Sequence, residues 1–211
     1  MRRFLIPSFL YSLVLLFFAS CKTYHLKDVK SIPNQETAVE NLYFCSKEDY
    51  VYKCQMDIYK NDVSGILMIK KISESAHRVV MTSDFGNKMI DFEISENDFK
   101  LNYVLPDLDK KMVVNFLKKD FRELLRQKYP IVESFENDLS LVYNSKIDKK
   151  NYYLSFSKED NLLKKIIYTQ NNKEKIDFSF EAKKPTFAET IEIQHKDFKI
   201  NIKLFQITET E

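Results

Sequence analysis

Residues 50–59 read Tyr-Val-Tyr-Lys-Cys-Gln-Met-Asp-Ile-Tyr, and every second side chain from Tyr50 to Ile58 is apolar or aromatic. A period of two places one set of side chains on one face of an extended chain, so this stretch predicts a half-buried β-strand. The same alternation returns further along the chain, in residues 99–105, 152–156, 176–180 and 198–204. One segment differs: between Asp109 and Gln127 apolar residues recur at i, i+3, i+4 and i+8, which predicts an amphipathic helix.

The predicted helix has about five turns, with Asp107 or Asp109 as its cap and Pro130 beyond its end. About six strands precede it and about five follow it, and short polar turns link successive strands. Such links favour antiparallel pairing, and a large meander curls to bury one face. The sequence therefore predicts a mainly β fold: an unclosed half-barrel of about 10–11 strands, with the helix packed in or over its concave face.

The chain contains only two glycines, Gly65 and Gly86. Gly65 lies inside an apolar strand and predicts a bulge or bend, whereas Gly86 lies between two strand patterns and predicts a hairpin tip. A large aromatic residue, Phe85, stands at this tip. Either Phe85 folds back onto the edge of the sheet, or it is an exposed apolar probe for a bilayer or for a partner's groove.

The N-terminus carries an export signal. Arg2 and Arg3 precede an apolar run over residues 9–18, and Ala19-Ser20-Cys21 follows. The segment resembles a bacterial lipoprotein signal, which implies that Cys21 becomes the lipid-bearing first residue of the mature chain. The alternative is a buried cysteine beside a different cleavage site. The expected organisation is a signal peptide over residues 1–20, a polar tether over 21–40 and one domain over 41–211.

Removal of the signal balances the charge of the chain. The signal contains two of the 33 Lys and Arg residues and no acidic residue, so the remaining chain has 31 basic and 31 acidic side chains. This balance argues against nucleic-acid binding, which normally requires a clustered basic surface. The expected partner is a membrane, contacted through the N-terminal lipid.

Two further cysteines, Cys45 and Cys54, could be oxidised after export. Their spacing would suit a disulfide across a hairpin that turns at residues 46–49. The alternative is two reduced cysteines that pack as small apolar groups. The spacing alone does not decide between them, because it shows neither the separation of the Cα atoms nor the direction of the side chains.

The stretch 79–94, Val-Val-Met-Thr-Ser-Asp-Phe-Gly-Asn-Lys-Met-Ile-Asp-Phe-Glu-Ile, is similar to a strand–loop–strand unit of the outer-membrane lipoprotein receptor LolB, of the LolA/LolB-like superfamily. In that family a Pro-Leu-Gly tip projects an apolar side chain that is needed to hand lipoproteins to the membrane. Phe85 stands at the position of the leucine and Gly86 at that of the glycine, while Asp84 replaces the proline. The resemblance implies an unclosed barrel whose helices cover an apolar cavity, in agreement with the predicted layout.

No catalytic constellation is recognisable. His25, His77 and His195 are isolated and are interpreted as surface histidines, without a second ligand at metal-binding spacing. Phosphate loops, nucleotide fingerprints and nucleophile elbows are absent from the sequence. Neither an enzymatic activity nor a metal or cofactor is expected.

The resulting hypothesis is an exported lipoprotein that binds acyl chains, or a lipidated client, in an apolar concavity closed by the helix. Burial of methylene groups is non-directional, so such a site needs no catalytic residue. The proposed lining is Tyr52, Cys54, Met56, Leu101, Tyr103, Phe116 and Leu117. The same residues would fill an ordinary core, and the alternative is a solid, non-catalytic lipoprotein that docks another envelope protein. The client and the oligomeric state stay open.

Overall fold

A computed structural model of the chain describes residues 24–59 and 61–207. Cys21 and the predicted signal lie outside the described residues. The described part forms fourteen strands and one α-helix, α1 (Lys111–Leu124). The strands are β1 (Lys30–Ile32), β2 (Ala38–Glu40), β3 (Asp49–Ile58), β4 (Asn61–Lys71), β5 (Ala76–Thr82), β6 (Lys88–Ser95), β7 (Phe99–Val104), β8 (Lys128–Glu136), β9 (Ser140–Ile147), β10 (Lys150–Ser157), β11 (Leu163–Gln170), β12 (Lys173–Lys184), β13 (Phe187–His195) and β14 (Ile200–Gln206).

All strands belong to one antiparallel sheet that is not closed into a barrel. Its order is β1-β8-β9-β10-β11-β12-β13-β14-β3-β4-β5-β6-β7, and β2 also pairs with β8. Successive strands are neighbours from β3 to β7 and from β8 to β14. Strands β1 and β2 pair instead with β8, and β14 pairs with β3, which joins the two halves of the chain in the middle of the sheet. The predicted fold class is confirmed, with fourteen strands in place of the expected ten or eleven.

Two of the additional strands come from the expected tether. Strand β1 pairs with the C-terminal end of β8 and strand β2 with its N-terminal end. Closer to the N-terminus of the chain, the amide of Tyr24 donates to the carbonyl of Asn172 at 2.7 Å. The ring of Tyr24 also packs against that of Tyr153, with centroids 4.9 Å apart. Three-residue strands are too short to show a period, so only the tertiary partner β8 reveals them.

Helix α1 is shorter than predicted and begins without a side-chain cap. A 3₁₀ turn over Pro106–Leu108 precedes it, and the N-cap residue is Lys110, so the predicted caps Asp107 and Asp109 are wrong. The C-terminal end is capped by a residue distant in sequence: the side-chain amide of Asn41 donates to the carbonyls of Leu124 and Arg126. These bonds satisfy helix carbonyls that have no partner within the helix.

The core lies between the concave face of the sheet and α1. Val113, Leu117, Phe121 and Leu124 on one side of the helix are buried against the inward-facing side chains of the sheet. Gly65 explains how two strands approach closely here: a Cβ atom at this position would lie 2.0 Å from the carbonyl oxygen of Thr82. Only a residue without a side chain fits at this position, but the pairing of β3 with β4 continues through Gly65 without a register shift, so this ladder has no bulge there.

Candidate functional site

The β5–β6 turn over residues 83–87 presents a single aromatic side chain to solvent. The amide of Ser83 donates to the carbonyl of Asn87, the amide of Gly86 donates to that of Ser83, and Gly86 has a φ of +83°. The side chain of Phe85 is 94% exposed. Of the two alternatives for Phe85, the structure therefore selects the projecting side chain and not one folded back on the sheet.

A buried carboxylate holds the base of this hairpin. Asp91 is 1% exposed and accepts two hydrogen bonds from Arg78, at 3.0 and 2.8 Å, and one each from Lys88 and Asn102. The hydrogen bonds from Arg78 hold the pKa of Asp91 well below its usual range, and so the carboxylate stays charged. The hairpin that carries Phe85 is thereby fastened across β5, β6 and β7.

The concave face contains no open cavity at the residues predicted to line it. Tyr52 and Cys54 are 0% exposed, and Met56 and Leu117 are almost as deeply buried. A side chain without accessible surface has no neighbouring space that would admit a water molecule, so these residues form a close-packed core. Their predicted role as a cavity lining does not describe this conformation of the protein.

Leu101 and Tyr103 also differ from the prediction, because both are more than a third exposed on β7, the strand at the free end of the sheet order. Asp91 pairs with Tyr103 but its neighbour Phe92 pairs with Leu101, so β7 contains a bulge. The extra residue breaks the alternation that the sequence pattern assumed and turns Tyr103 to the side of Asp91.

Phe116 connects the helix to a buried pair of hydrogen-bonded polar side chains, Asp120 and His195. Its ring lies edge-on to His195 and to Phe198, with centroids 5.2 and 5.1 Å away. The Nε2 atom of His195 lies 2.9 Å from both carboxylate oxygens of Asp120 on α1. Burial raises the pKa of Asp120, whereas the hydrogen bond with His195 opposes the rise. The expectation that His195 is a surface residue is wrong.

Next to this pair, Glu123 of α1 forms a second buried polar network. Its carboxylate accepts hydrogen bonds from Arg126 at 3.3 Å, Lys150 at 3.0 Å and the hydroxyl of Tyr152 at 2.9 Å. Glu123 is 2% exposed, so its carboxylate is satisfied by these three donors inside the protein and not by water. Polar contacts as well as apolar packing thus hold the helix against the sheet.

Cys45 and Cys54 are both free, so of the two alternatives the structure has two reduced cysteines and not the disulfide. Residues 41–48 form no strand, and the neighbours of Cys54 across the sheet are Gly65 and Leu204. Hence no hairpin brings Cys45 opposite Cys54. Burial raises the pKa of the Cys54 thiol to about 12 and keeps it protonated.

A pocket of about 270 Å³ opens where α1 ends against the sheet. We call it the seam pocket; it is lined by Glu74, Ser75, His77, Ile94, Ser95, Glu96, Arg122, Leu125, Arg126, Gln127 and Lys128. His77 is buried, contrary to the expectation of a surface histidine, and its Nε2 atom lies 3.0 Å from the carbonyl oxygen of Phe44. The sequence gives no sign of this pocket, because its walls come from three segments that are distant along the chain.

Within residues 24–59 and 61–207, no group of three His, Cys, Asp or Glu side chains is arranged to hold a metal ion. The helix found in this part of the chain lacks the length and hydropathy that would be needed to cross a bilayer.

Comparison with known proteins supports the fold. No protein-family model matches the sequence, and no curated protein matches it. The structure is similar to that of a LolA superfamily protein from Nitrosomonas europaea, with a TM-score of 0.51 and 6% sequence identity over 81% of this chain and 90% of that chain. A DUF1329 family protein from Desulfovibrio piger gives a TM-score of 0.44 and 7% identity, over 77% of this chain and 85% of that chain. The chain thus has a LolA-type fold, as the resemblance around Phe85 predicted.

Proposed function

We propose that this chain is a lipid-anchored, non-catalytic protein of the bacterial cell envelope that engages acyl chains of a lipidated client or of the membrane. In this proposal the lipid on Cys21 holds the protein at the outer membrane, and Phe85 is its apolar contact. The supporting observation is the 94% exposure of Phe85 at the tip of a fastened hairpin on a LolA-type half-barrel. Transfer of one such side chain from water into an apolar phase is favourable by about 1.5–3 kcal/mol.

The closed interior sets a condition on this function. An acyl chain can be held on the concave face only if α1 moves away from the sheet, because Tyr52 and Cys54 have no free space beside them. The charged contacts of Asp120 and Glu123 would then have to be replaced or hydrated. The helix is therefore the proposed lid.

The closed interior also favours a second candidate, a solid lipoprotein that docks another envelope protein. Titration of the mature protein with cis-parinaric acid separates the two, because its fluorescence rises in an apolar site. Saturable binding at one site supports the carrier, and unchanged fluorescence supports the solid protein. Binding should be the same in Phe85→Glu, since Phe85 lies outside the core.

The role of Phe85 is tested by Phe85→Glu, with Phe85→Leu as the conservative variant. Leu139 offers a matched control, since it is 78% exposed in a different turn, between β8 and β9. We expect Phe85→Glu to abolish transfer of a lipidated client to vesicles, while Phe85→Leu and Leu139→Glu retain it. Normal transfer by a folded Phe85→Glu variant would refute the proposed role of Phe85.

The anchor is tested separately by metabolic labelling with palmitate. We expect Cys21→Ser to eliminate the label, because the acylated residue is removed, and Cys45→Ser to keep it. Labelling that persists in Cys21→Ser would contradict the assignment of Cys21.

A further inference from the structure

The seam pocket has an apolar floor and a polar rim. Ile94 and Leu125 line it next to the core, whereas the remaining lining residues are polar or charged. The pocket lies at the line along which α1 would separate from the sheet. A molecule bound there would contact the helix and the turns after β4 and β6 together.

Hydrogen-bond donors are in excess in this pocket. Arg122 donates to the carbonyls of Ser95 and Asp98 through Nε and Nη2, and its Nη1 has no partner in the described part of the chain. Arg126 likewise engages Nε and Nη1 and leaves Nη2 without one. The side-chain Nε2 of Gln127 is buried and has no hydrogen-bond partner among the described residues. An unpaired buried donor is costly, so such a group marks a place where an acceptor is missing.

The pocket's carboxylates are already engaged and lie towards solvent. Glu96 pairs with Arg126 at 2.7 Å and Glu74 with Lys71 at 3.6 Å, and their side chains are 67% and 91% exposed. Both can turn outward when a competing anion arrives.

Two other groups at the pocket leave its charge balance unchanged. Burial lowers the pKa of His77, which therefore stays neutral at pH 7. The amide of Asn41 donates to the carbonyl of Leu124 at the end of α1 and to that of Arg126 just beyond it, which reduces the negative potential that this end of the helix presents to the pocket. Arg126 already pairs with Glu123 and Glu96, and Lys128 pairs with Glu40. Arg122 has no carboxylate partner among the described residues, so it is the lining cation that is free to pair with an anion.

We propose that the seam pocket binds the anionic head, a carboxylate or a phosphate, of an amphiphilic ligand whose acyl chain passes between α1 and the sheet. This inference rests on the proposed function and adds the chemistry of the ligand's polar end. The free nitrogens of Arg122 and Arg126 supply donors to the head, and the buried Nε2 of Gln127 becomes a third donor when α1 moves away from the sheet. Ile94 and Leu125 contact the first methylenes of the chain. Charge-assisted hydrogen bonds to the head make the pocket selective for charged over neutral amphiphiles.

The experiment compares laurate, dodecyl phosphate and dodecanol, which share a chain length and differ in the head, by isothermal titration of the mature protein. We expect at least one of the two anions to bind about tenfold or more tightly than dodecanol, and the tighter anion identifies the head. In Gln127→Met and in Arg122→Gln the preference should fall to about threefold or less, with the affinity for dodecanol unchanged. Gln55→Met, on the exposed side of β3, is the matched control and should keep the full preference.

Equal affinity for all three compounds would overturn the inference and leave the proposed acyl binding intact. A preference that survives in both folded variants would also overturn it, because the head would then bind elsewhere. Failure of all three compounds to bind would refute acyl binding itself, and the anion site with it. A thermal melt of each variant confirms the fold, and Arg122→Gln suffices if Gln127→Met does not fold.

Discussion

Asn41 joins the end of the proposed lid to the segment that leads into β3, and we expect Asn41→Ala to destabilise the protein strongly. Its side-chain amide donates to the carbonyls of Leu124 at 3.0 Å and Arg126 at 3.3 Å, and its Oδ1 accepts from the amide of Tyr43 at 3.1 Å. Asn41 itself is 0% exposed. The substitution removes all three hydrogen bonds at once.

The magnitude follows from the burial of the partners. Tyr43 and Leu124 are at most 1% exposed, so water cannot replace the bonds to their backbone groups, whereas Arg126 lies nearer to solvent. Each buried group left without a partner costs about 1–3 kcal/mol. The expected loss in the free energy of unfolding, for these two buried groups, is therefore about 2–6 kcal/mol. At this chain length each kcal/mol lowers Tm by about 2–4 °C.

Urea unfolding monitored by circular dichroism measures the loss, and hydrogen exchange of the α1 amides shows whether the helix end opens. Asn34→Ala is the matched control, since exposed Asn34 donates a single bond to the carbonyl of Val132 at 3.1 Å. We expect that variant to lie within about 0.5 kcal/mol of the wild type. If Asn41→Ala loses no more stability than Asn34→Ala, the reasoning about the buried cap is refuted.

Two further predictions concern the sheet and the pocket. Gly65→Ala should lower the free energy of unfolding, measured in urea, by at least about 2 kcal/mol. The added Cβ would lie 2.0 Å from the carbonyl oxygen of Thr82, and neither backbone can yield easily. If the variant is as stable as the wild type, the two strands separate freely at this point. Burial lowers the pKa of His77 in the folded state, so the unfolded chain takes up the proton first. Stability should therefore fall as the pH drops below the unfolded value of about 6.5, by up to about 1.4 kcal/mol per pH unit until the folded pKa is reached. His77→Gln retains a donor for the nearby carbonyl and should lose stability less steeply between pH 7 and 5, and an identical slope in both proteins would contradict the assignment.

The elements that the sequence predicted correctly are those with long periodic patterns. The ten-residue strand β3 and the helix around Phe116 each repeat their pattern often enough to be recognised. Strands β1 and β2 could not be predicted in this way, because each has three residues and takes its conformation from the edge of β8. The exposure of Tyr103 was missed for a related reason, since a bulge changes the face of every residue beyond it.

The positions of two acidic residues in the helix, Asp120 and Glu123, indicate from the sequence alone that their side chains are buried. Asp120 lies three or four residues from Phe116, Leu117 and Leu124, and Glu123 lies seven residues from Phe116, which is two helical turns. Both carboxylates are therefore on the apolar side of α1. A charged residue at such a position indicates a buried partner, but the sequence does not name it. The partner His195 is 75 residues from Asp120, so only the folded sheet brings the two together.

The sequence by itself determined the mainly β class, the amphipathic helix that contains Phe116 and the aromatic tip at Phe85, because each depends on neighbours close in the chain. Tertiary structure alone decided whether the concave face is open or packed, whether Cys45 meets Cys54, and where donors converge at the seam pocket. These features depend on which distant segments meet and how much space is left between them. Alternation along a strand specifies the direction of a side chain and not what lies opposite it, and so the same residues could have lined a cavity or filled a core.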